Sequence, residues 1–395
     1  MAIILGLLGG SFGLIVFTMP YTEHLHVGDE IYYSLNGEDE INFVENVGVA
    51  DGSMSVHFIE LGNKYTGDCT YIKVGENIDI LIDCGSRTSS IPYVEKYLRT
   101  YVTDNTLDYV VVTHAHRDHY AGFATSTKME SIFDLFYCKN IITFSQTSPG
   151  KTSTSTYKNF DRELHAAVAD ENQTPSTIYT AKQCIDLAKQ ENPNATSYKF
   201  DLIDGINLEI LDSKFYHEAC DNENENSVCC MINQGNKNYL FTGDLEEEGE
   251  AELVALHNGT LPKVELLKAG HHGSKTSSST LFLETILDEN NPAIVAVCCC
   301  AGSSEYSGNV ENQFPTKQFI DRISVFTTLV YVTTMCINYK INEFVSFNGN
   351  IVVSSTASEA IVVNCSNNNT LLKDSEWFKQ NRYEMCKNSM DSSWL

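Results

Sequence analysis

The chain has 395 residues, with 26 basic against 52 acidic side chains, a formal net charge of −26 and 42% hydrophobic residues. That is enough apolar material for one large core with extensions. No run of Lys or Arg offers the basic track that long DNA or RNA needs, since phosphate neutralisation supplies most nonspecific affinity. Small substrates, nucleotides and short single strands stay open.

In chain order, Ala2 to Met19 is uncharged and apolar. It matches a signal h-region or a short membrane anchor, although it lacks a basic n-region. Residues 1–19 are therefore expected to make the protein secreted or membrane-anchored, and cytoplasmic if they serve as a buried element instead. Residues 20–53 read as a linker or extension, 54–360 as the main domain, and 361–395 as a tail packing on it. Ile78 to Ile82 is an apolar strand ending in Asp83-Cys84-Gly85. Tyr109 to Val112 is another, running into Thr113-His114-Ala115-His116-Arg117-Asp118-His119. Residues 145–156 are rich in Ser and Thr and read as a surface loop; residues 222–226 read as a polar turn leading into a strand. Tyr239-Leu240-Phe241 ends in Thr242-Gly243-Asp244, and Leu266-Leu267-Lys268 leads to Ala269-Gly270-His271-His272-Gly273-Ser274. Helical stretches at 246–257, 279–287 and 316–324 alternate with β-branched runs, which argues α/β. Cys298 to Cys300 close an apolar strand as small buried residues, and the odd total of 13 cysteines does not look like a disulfide framework. Ile351-Val352-Val353 is a last core strand, and Trp377 and Phe378 are expected to dock on the domain.

Three imidazoles and a carboxylate between His114 and His119 are the borderline-to-hard ligands of Zn²⁺ and similar divalent ions. His114 and His116 can flank one ion, while Asp118 and His119 turn toward a second. Asp244, with two acceptor oxygens, is best placed to bridge both. Asp83 fits an outer role, accepting a hydrogen bond that orients a ligand loop. His165 lies in a helical stretch and His217 before an acidic loop, so neither is counted as a ligand.

Strand ends reading Asp-x-Gly, His-x-His-x-Asp-His, Thr-Gly-Asp and a late His, in this order, resemble the metallo-β-lactamase superfamily. Val56 to Gly62, Asn226-Ser227-Val228 and His271 to Ser278 look like the ComEC-like competence-protein hydrolase domain and the secreted phosphorylcholine esterase subgroup. The resemblance covers about residues 54 to 355. It implies an α/β fold of two mixed β-sheets face to face with helices outside, the αββα sandwich. That subgroup often carries Gly-His-Pro where this chain reads Gln313-Phe314-Pro315. Many superfamily members also give the first metal a third histidine; here Asn226 and Ser227 occupy that position, so more of that shell is left to water.

The resemblance further implies two divalent ions, Zn²⁺ first and Mn²⁺ as the alternative. It assigns His272 to the second ion and turns His271 toward the scissile bond; the residues alone allow the reverse. The expected activity is metal-assisted hydrolysis of a phosphodiester or related phosphoester by a bound hydroxide, since a divalent ion lowers the pKa of its water to ~7. Asp118 would orient that nucleophile, His271 would act as acid or charge stabiliser, and Ser274 and Lys275 would contact substrate. A small phosphoester or a short single-stranded nucleic acid is the expected partner. A lactam, lactone or thioester hydrolase and a non-catalytic, metal-stabilised binding module are the alternatives. A closed shell of four protein ligands would favour the last.

Overall fold

The computed structural model describes residues 52–126, 129–169, 175–203, 205–338 and 343–395, together with four strands of two or three residues before residue 33. Apart from Ala2–Ile3 and Val16–Phe17, the proposed signal or anchor lies outside the described residues. Among those residues, no helix is long and apolar enough to cross a membrane.

Two eight-stranded mixed sheets lie face to face. The first contains β1 (Met54–Phe58), β2 (Thr70–Val74), β3 (Ile78–Ile82), β4 (Thr106–Val112), β5 (Tyr137–Thr143) and β6 (Thr177–Thr180). The second contains β7 (Ser197–Asp201), β8 (Ile206–Leu211), β9 (Cys230–Gln234), β10 (Lys237–Phe241), β11 (Leu266–Lys268), β12 (Ile294–Ala301), β13 (Val330–Asn338) and β14 (Glu343–Ser346). The chain then returns to the first sheet as β15 (Ile351–Ser355) and β16 (Val362–Cys365), giving the order β6-β5-β4-β3-β2-β1-β15-β16. In the first sheet β3 to β6 run parallel. In the second, β10 to β13 do. Parallel strands deliver their carboxyl ends to one edge, where α/β sheets hold their sites.

Side-chain alternation assigns the two faces of each strand. Within β12, Cys298 joins the core between the sheets, while Cys299 joins the outer core under the helices. All eight residues of β12 are buried, as an apolar run in a parallel sheet covered on both sides should be. All thirteen cysteines are free. The helices sit outside, completing the αββα sandwich. On the first sheet lie α1 (Ile91–Tyr101) and α2 (Ser155–Ala169); α3 (Ala181–Glu191) packs on the edge strands of both sheets, and on the second lie α4 (Glu247–His257), α5 (Thr280–Ile286) and α6 (Lys317–Ile323). Their starts are written locally. Ser279 and Thr316 accept hydrogen bonds from the third residues of α5 and α6, and α4 opens with Glu247, Glu248 and Glu250 against the helix dipole.

The strand β16 carries the first sheet past residue 360. Beyond it, Leu372, Phe378, Cys386, Met390 and Trp394 are buried in the outer core, and Trp377 packs at its edge. Arg382 is fully buried and donates to the carbonyls of Pro315 (3.0 Å) and Gln313 (2.7 Å). Each large buried side chain lost from a core costs about 3–5 kcal/mol. Truncation after Asn369 should therefore lower the melting temperature by on the order of 10 °C with metal content retained. An unmoved melting curve would show that this packing has no energetic weight.

Candidate metal centre

Four strand ends meet at the lip between the sheets. β3 runs into Asp83, β4 into Thr113-His114-Ala115-His116 and then a helical turn, Arg117–Tyr120. From the other sheet, β10 runs into Asp244 and β11 into His271-His272. Gly85 is required for these loops to pass. A Cβ there would sit 1.6 Å from the Asp118 carbonyl oxygen. His271 and His272 both take the left-handed region, at φ 45° and 56°, which costs about 1–3 kcal/mol per side-chain-bearing residue. The turn sends their imidazoles to different places, and the segment after it is held by Glu250, which accepts from Ser278 N (2.5 Å) and Ser279 N (2.7 Å).

Asp244 Oδ2 is the hub. It lies 3.1 Å from His119 Nε2, 3.4 Å from His272 Nε2, 3.8 Å from His114 Nε2 and 3.8 Å from His271 Nε2. His114 Nε2 faces His116 Nδ1 at 3.0 Å. Two groups of ligand atoms result: Asp68, His119, Asp244 and His272, and His114, His116 and Asp244. Donors about 2.0–2.2 Å from one ion stand roughly 3–3.5 Å apart, which is close to this spacing.

The hydrogen bonding fits a cation better than it fits the protein alone. His119 Nδ1 faces Asp83 Oδ2 at 2.7 Å, and His272 Nδ1 faces the Cys298 carbonyl at 3.0 Å. Each Nδ1 meets an acceptor and so carries its hydrogen, which leaves Nε2 as the lone-pair atom. Those two Nε2 atoms, with Asp68 Oδ1 and Asp244 Oδ1, are buried without a hydrogen-bond partner, a costly state for polar groups. Asp83 also accepts from Thr113 N (2.8 Å) and Thr113 Oγ1 (2.7 Å), fixing the loop that carries the histidines.

The charges are strongly coupled. Burial works against ionisation of Asp244, yet His119, His272 and His271 hold it well below the usual carboxylate range. Burial alone would lower His119, but Asp244 and Asp83 push it up to about 10. The carboxylates thus demand positive charge at this point. Lys268, buried, donates to the Gly243 carbonyl (2.9 Å) and pairs with Asp68.

The other expected residues divide. Asp118 stands beside the clusters, 3.5 Å from His272 Nε2, and accepts a 2.5 Å hydrogen bond from the Tyr306 hydroxyl. His271 is at the rim, its Nδ1 against Thr276 Oγ1 (3.1 Å) and Glu246 Oε1 (3.2 Å). Although burial opposes it, His271 with Asn224, Asn222 and Thr276 brings Glu246 down to about 2. Ser274 is buried against Thr276 (3.0 Å), and Lys275 is exposed and donates to Asn312 (3.0 Å). Phe314, at the Gly-His-Pro position, packs on both late histidines, with ring centroids 5.8 and 5.9 Å away. Ser227 Oγ accepts from Asp244 N (3.1 Å). His165 is exposed, and His217 pairs with Asp212 at 2.7 Å.

Sequence reasoning missed Asp68, Lys151, Glu223 and Tyr306. Asp68 precedes β2, which is antiparallel to β3 with Thr70 opposite Ile82, so its entry end shares the lip with the exit of β3. The supposed polar turn at 222–226 is buried from Glu223 to Asn226. Glu223 accepts from Ala115 N (2.8 Å) and Ser148 N (2.6 Å), tying the histidine loop to the Ser/Thr-rich one. That loop is not merely surface, because it brings Lys151 Nζ to 2.6 Å from His116 Nε2.

Residues 62–128 match the family model described as the metallo-beta-lactamase superfamily. Over that segment the chain is similar to the metallo-β-lactamase superfamily. Its matched segment holds Asp68, Asp83 and the His114–His119 motif. The chain is 36% identical over 84 residues to ComE operon protein 3 of Bacillus subtilis (20% of this chain, 11% of that one). It is 36% identical over 88 residues to competence protein ComA of Neisseria gonorrhoeae (22% of this chain, 12% of that one). The matches thus span only about a ninth of those curated relatives. A long form RNase Z from yeast superposes with a TM-score of 0.33 and 11% identity, over 75% of this chain and 41% of that one.

Proposed function

We propose that the protein is a divalent-metal-dependent hydrolase of phosphoesters, phosphodiesters above all, with two ions per chain, Zn²⁺ or in its place Mn²⁺. The observation that carries this reading is the sharing of Asp244 between two clusters of ligand atoms. Two adjoining ions are the arrangement that clamps the attacking and leaving oxygens of an in-line displacement. The cluster of His114, His116 and Asp244 offers three protein donors, with Ser227 rather than an imidazole nearby. The other cluster has four protein donors; three ligands and an open position mark the His114–His116 side as the catalytic one, and that position suits a substrate oxygen. When bound, such ions supply Lewis acidity and a lowered pKa for a coordinated water.

The chain's own residues divide the remaining work. Asp83 and the Cys298 carbonyl fix the orientation of His119 and His272. Asp118, itself held by Tyr306, orients the attacking water. His271, at the rim and steadied by Glu246, supplies a proton to the leaving oxygen or a hydrogen bond to a non-bridging one. The relatives named above are competence proteins; a short single strand or a small phosphoester is the substrate class we assign to this chain.

A panel of bis(p-nitrophenyl) phosphate, phosphorylcholine esters, short single-stranded DNA and nitrocefin, each with Zn²⁺ and with Mn²⁺, tests the assignment. Turnover of the phosphoesters, abolished by chelator and restored by metal, is expected. Turnover of nitrocefin alone would replace the proposal with a lactam hydrolase. No turnover, with tightly held metal, would point to a binding module.

A further inference from the structure

His116 presents its two nitrogens to different neighbours. Nδ1 faces His114 Nε2 and the Asp244 side at 3.0 Å, while Nε2 lies 2.6 Å from Lys151 Nζ. An imidazole that gives its Nδ1 lone pair to a cation is neutral and carries its hydrogen on Nε2. A Lys ammonium has three donors and no acceptor. In the loaded site the two groups would therefore both be donors, too close at 2.6 Å to face each other, and would part to admit an acceptor.

Lys151 is not free to swing away at random. It follows Gly150, at φ 85°, and its loop is pinned where Ser148 N meets Glu223, whose other oxygen holds Ala115 N between the two histidines. Ser148 Oγ adds a bond to the Cys220 carbonyl (3.2 Å). One buried carboxylate thus sets the spacing between Lys151 and His116. Two other cations near the site, Lys268 and Arg87, are matched to carboxylates, those of Asp68 and Glu305. The partner of Lys151 is an imidazole.

We propose that Lys151 Nζ and His116 Nε2–H form an oxyanion-binding pair that receives a non-bridging oxygen of the substrate and selects anionic esters. The proposal rests on the metal-loaded reading of the site but not on phosphodiesters being the natural substrate. It places a positive contact in a chain whose net charge is −26, and a charge-assisted hydrogen bond is the stronger kind.

The test compares wild type, Lys151→Gln and Lys151→Arg as full-length, metal-loaded protein. Metal content and melting curve should be the same in all three. Inorganic phosphate, titrated calorimetrically, should bind Lys151→Gln about 10- to 100-fold more weakly, the scale of one hydrogen bond to a charged group, and Lys151→Arg should recover part of the loss. In kinetics, Lys151→Gln should lower kcat/KM for bis(p-nitrophenyl) phosphate at least ~10-fold more than for the neutral ester p-nitrophenyl acetate. Unchanged phosphate affinity, equal losses on both esters, or loss of metal would each overturn the proposal. Phosphate binding that depends on Lys151 without any phosphodiester turnover would keep it and discard the phosphodiesterase reading.

Discussion

Asp244→Ala, or the isosteric Asp244→Asn, should strip both ions and lower hydrolysis by more than about 10³-fold, the scale of losing a principal charge-stabilising group. The reason is position. A single oxygen of Asp244 lies within 3.1–3.8 Å of four imidazole nitrogens, and among the described residues Asp244 is the ligand that the two clusters share. His116→Ala should be as inactive but should empty only the cluster it shares with His114. Circular dichroism should show the β-sandwich intact in both, because the ligands sit on the lip rather than in the core. Elemental analysis of wild-type protein well below one ion per chain, with activity surviving chelation, would end the two-metal account.

His272→Ala and His271→Ala should fail in different ways. His272 is fully buried, with Nδ1 against the Cys298 carbonyl and Nε2 toward Asp244 and Asp118. Its loss should lower metal at the Asp68–His119 cluster together with activity. His271 keeps a solvent-facing edge and has its Nδ1 engaged by Thr276 and Glu246. Its loss should leave metal content unchanged while turnover falls ~10²–10⁴-fold, the usual scale for a general acid or oxyanion donor. Metal lost from His271→Ala and kept in His272→Ala would exchange the two roles.

What the sequence disclosed was what lies at the carboxyl ends of apolar strands. His114, His116, His119, Asp244 and His272 were legible because each follows such a strand within a few residues, and all five meet. Asp83 was legible for the same reason, and its outer position follows from having both oxygens taken by Thr113 and His119. The helices at 246–257, 279–287 and 316–324 stand at Glu247–His257, Thr280–Ile286 and Lys317–Ile323, since caps and apolar spacing are local signals. Asp68 escaped because it enters a strand, and only an antiparallel pairing turns that end toward the site. Lys151, Glu223 and Tyr306 escaped because they sit in polar segments whose place beside the site depends on loops from distant parts of the chain.

Lys268 gives the protein an order of assembly. Its ammonium is already inside, between Asp68 and Asp244, 3.7 Å from the latter, so these acids are not left facing one another when no ion is there. Small zinc modules behave oppositely, because their ligands have nothing else to hold them and the chain stays unfolded without metal. The arrangement predicts that maturation separates into two events: the polypeptide should finish folding on its internal cation, and metal should be taken up afterwards. Chelation should then be a reversible emptying rather than a denaturation, and the supply of metal rather than the supply of folded chain would decide how much of the protein is competent.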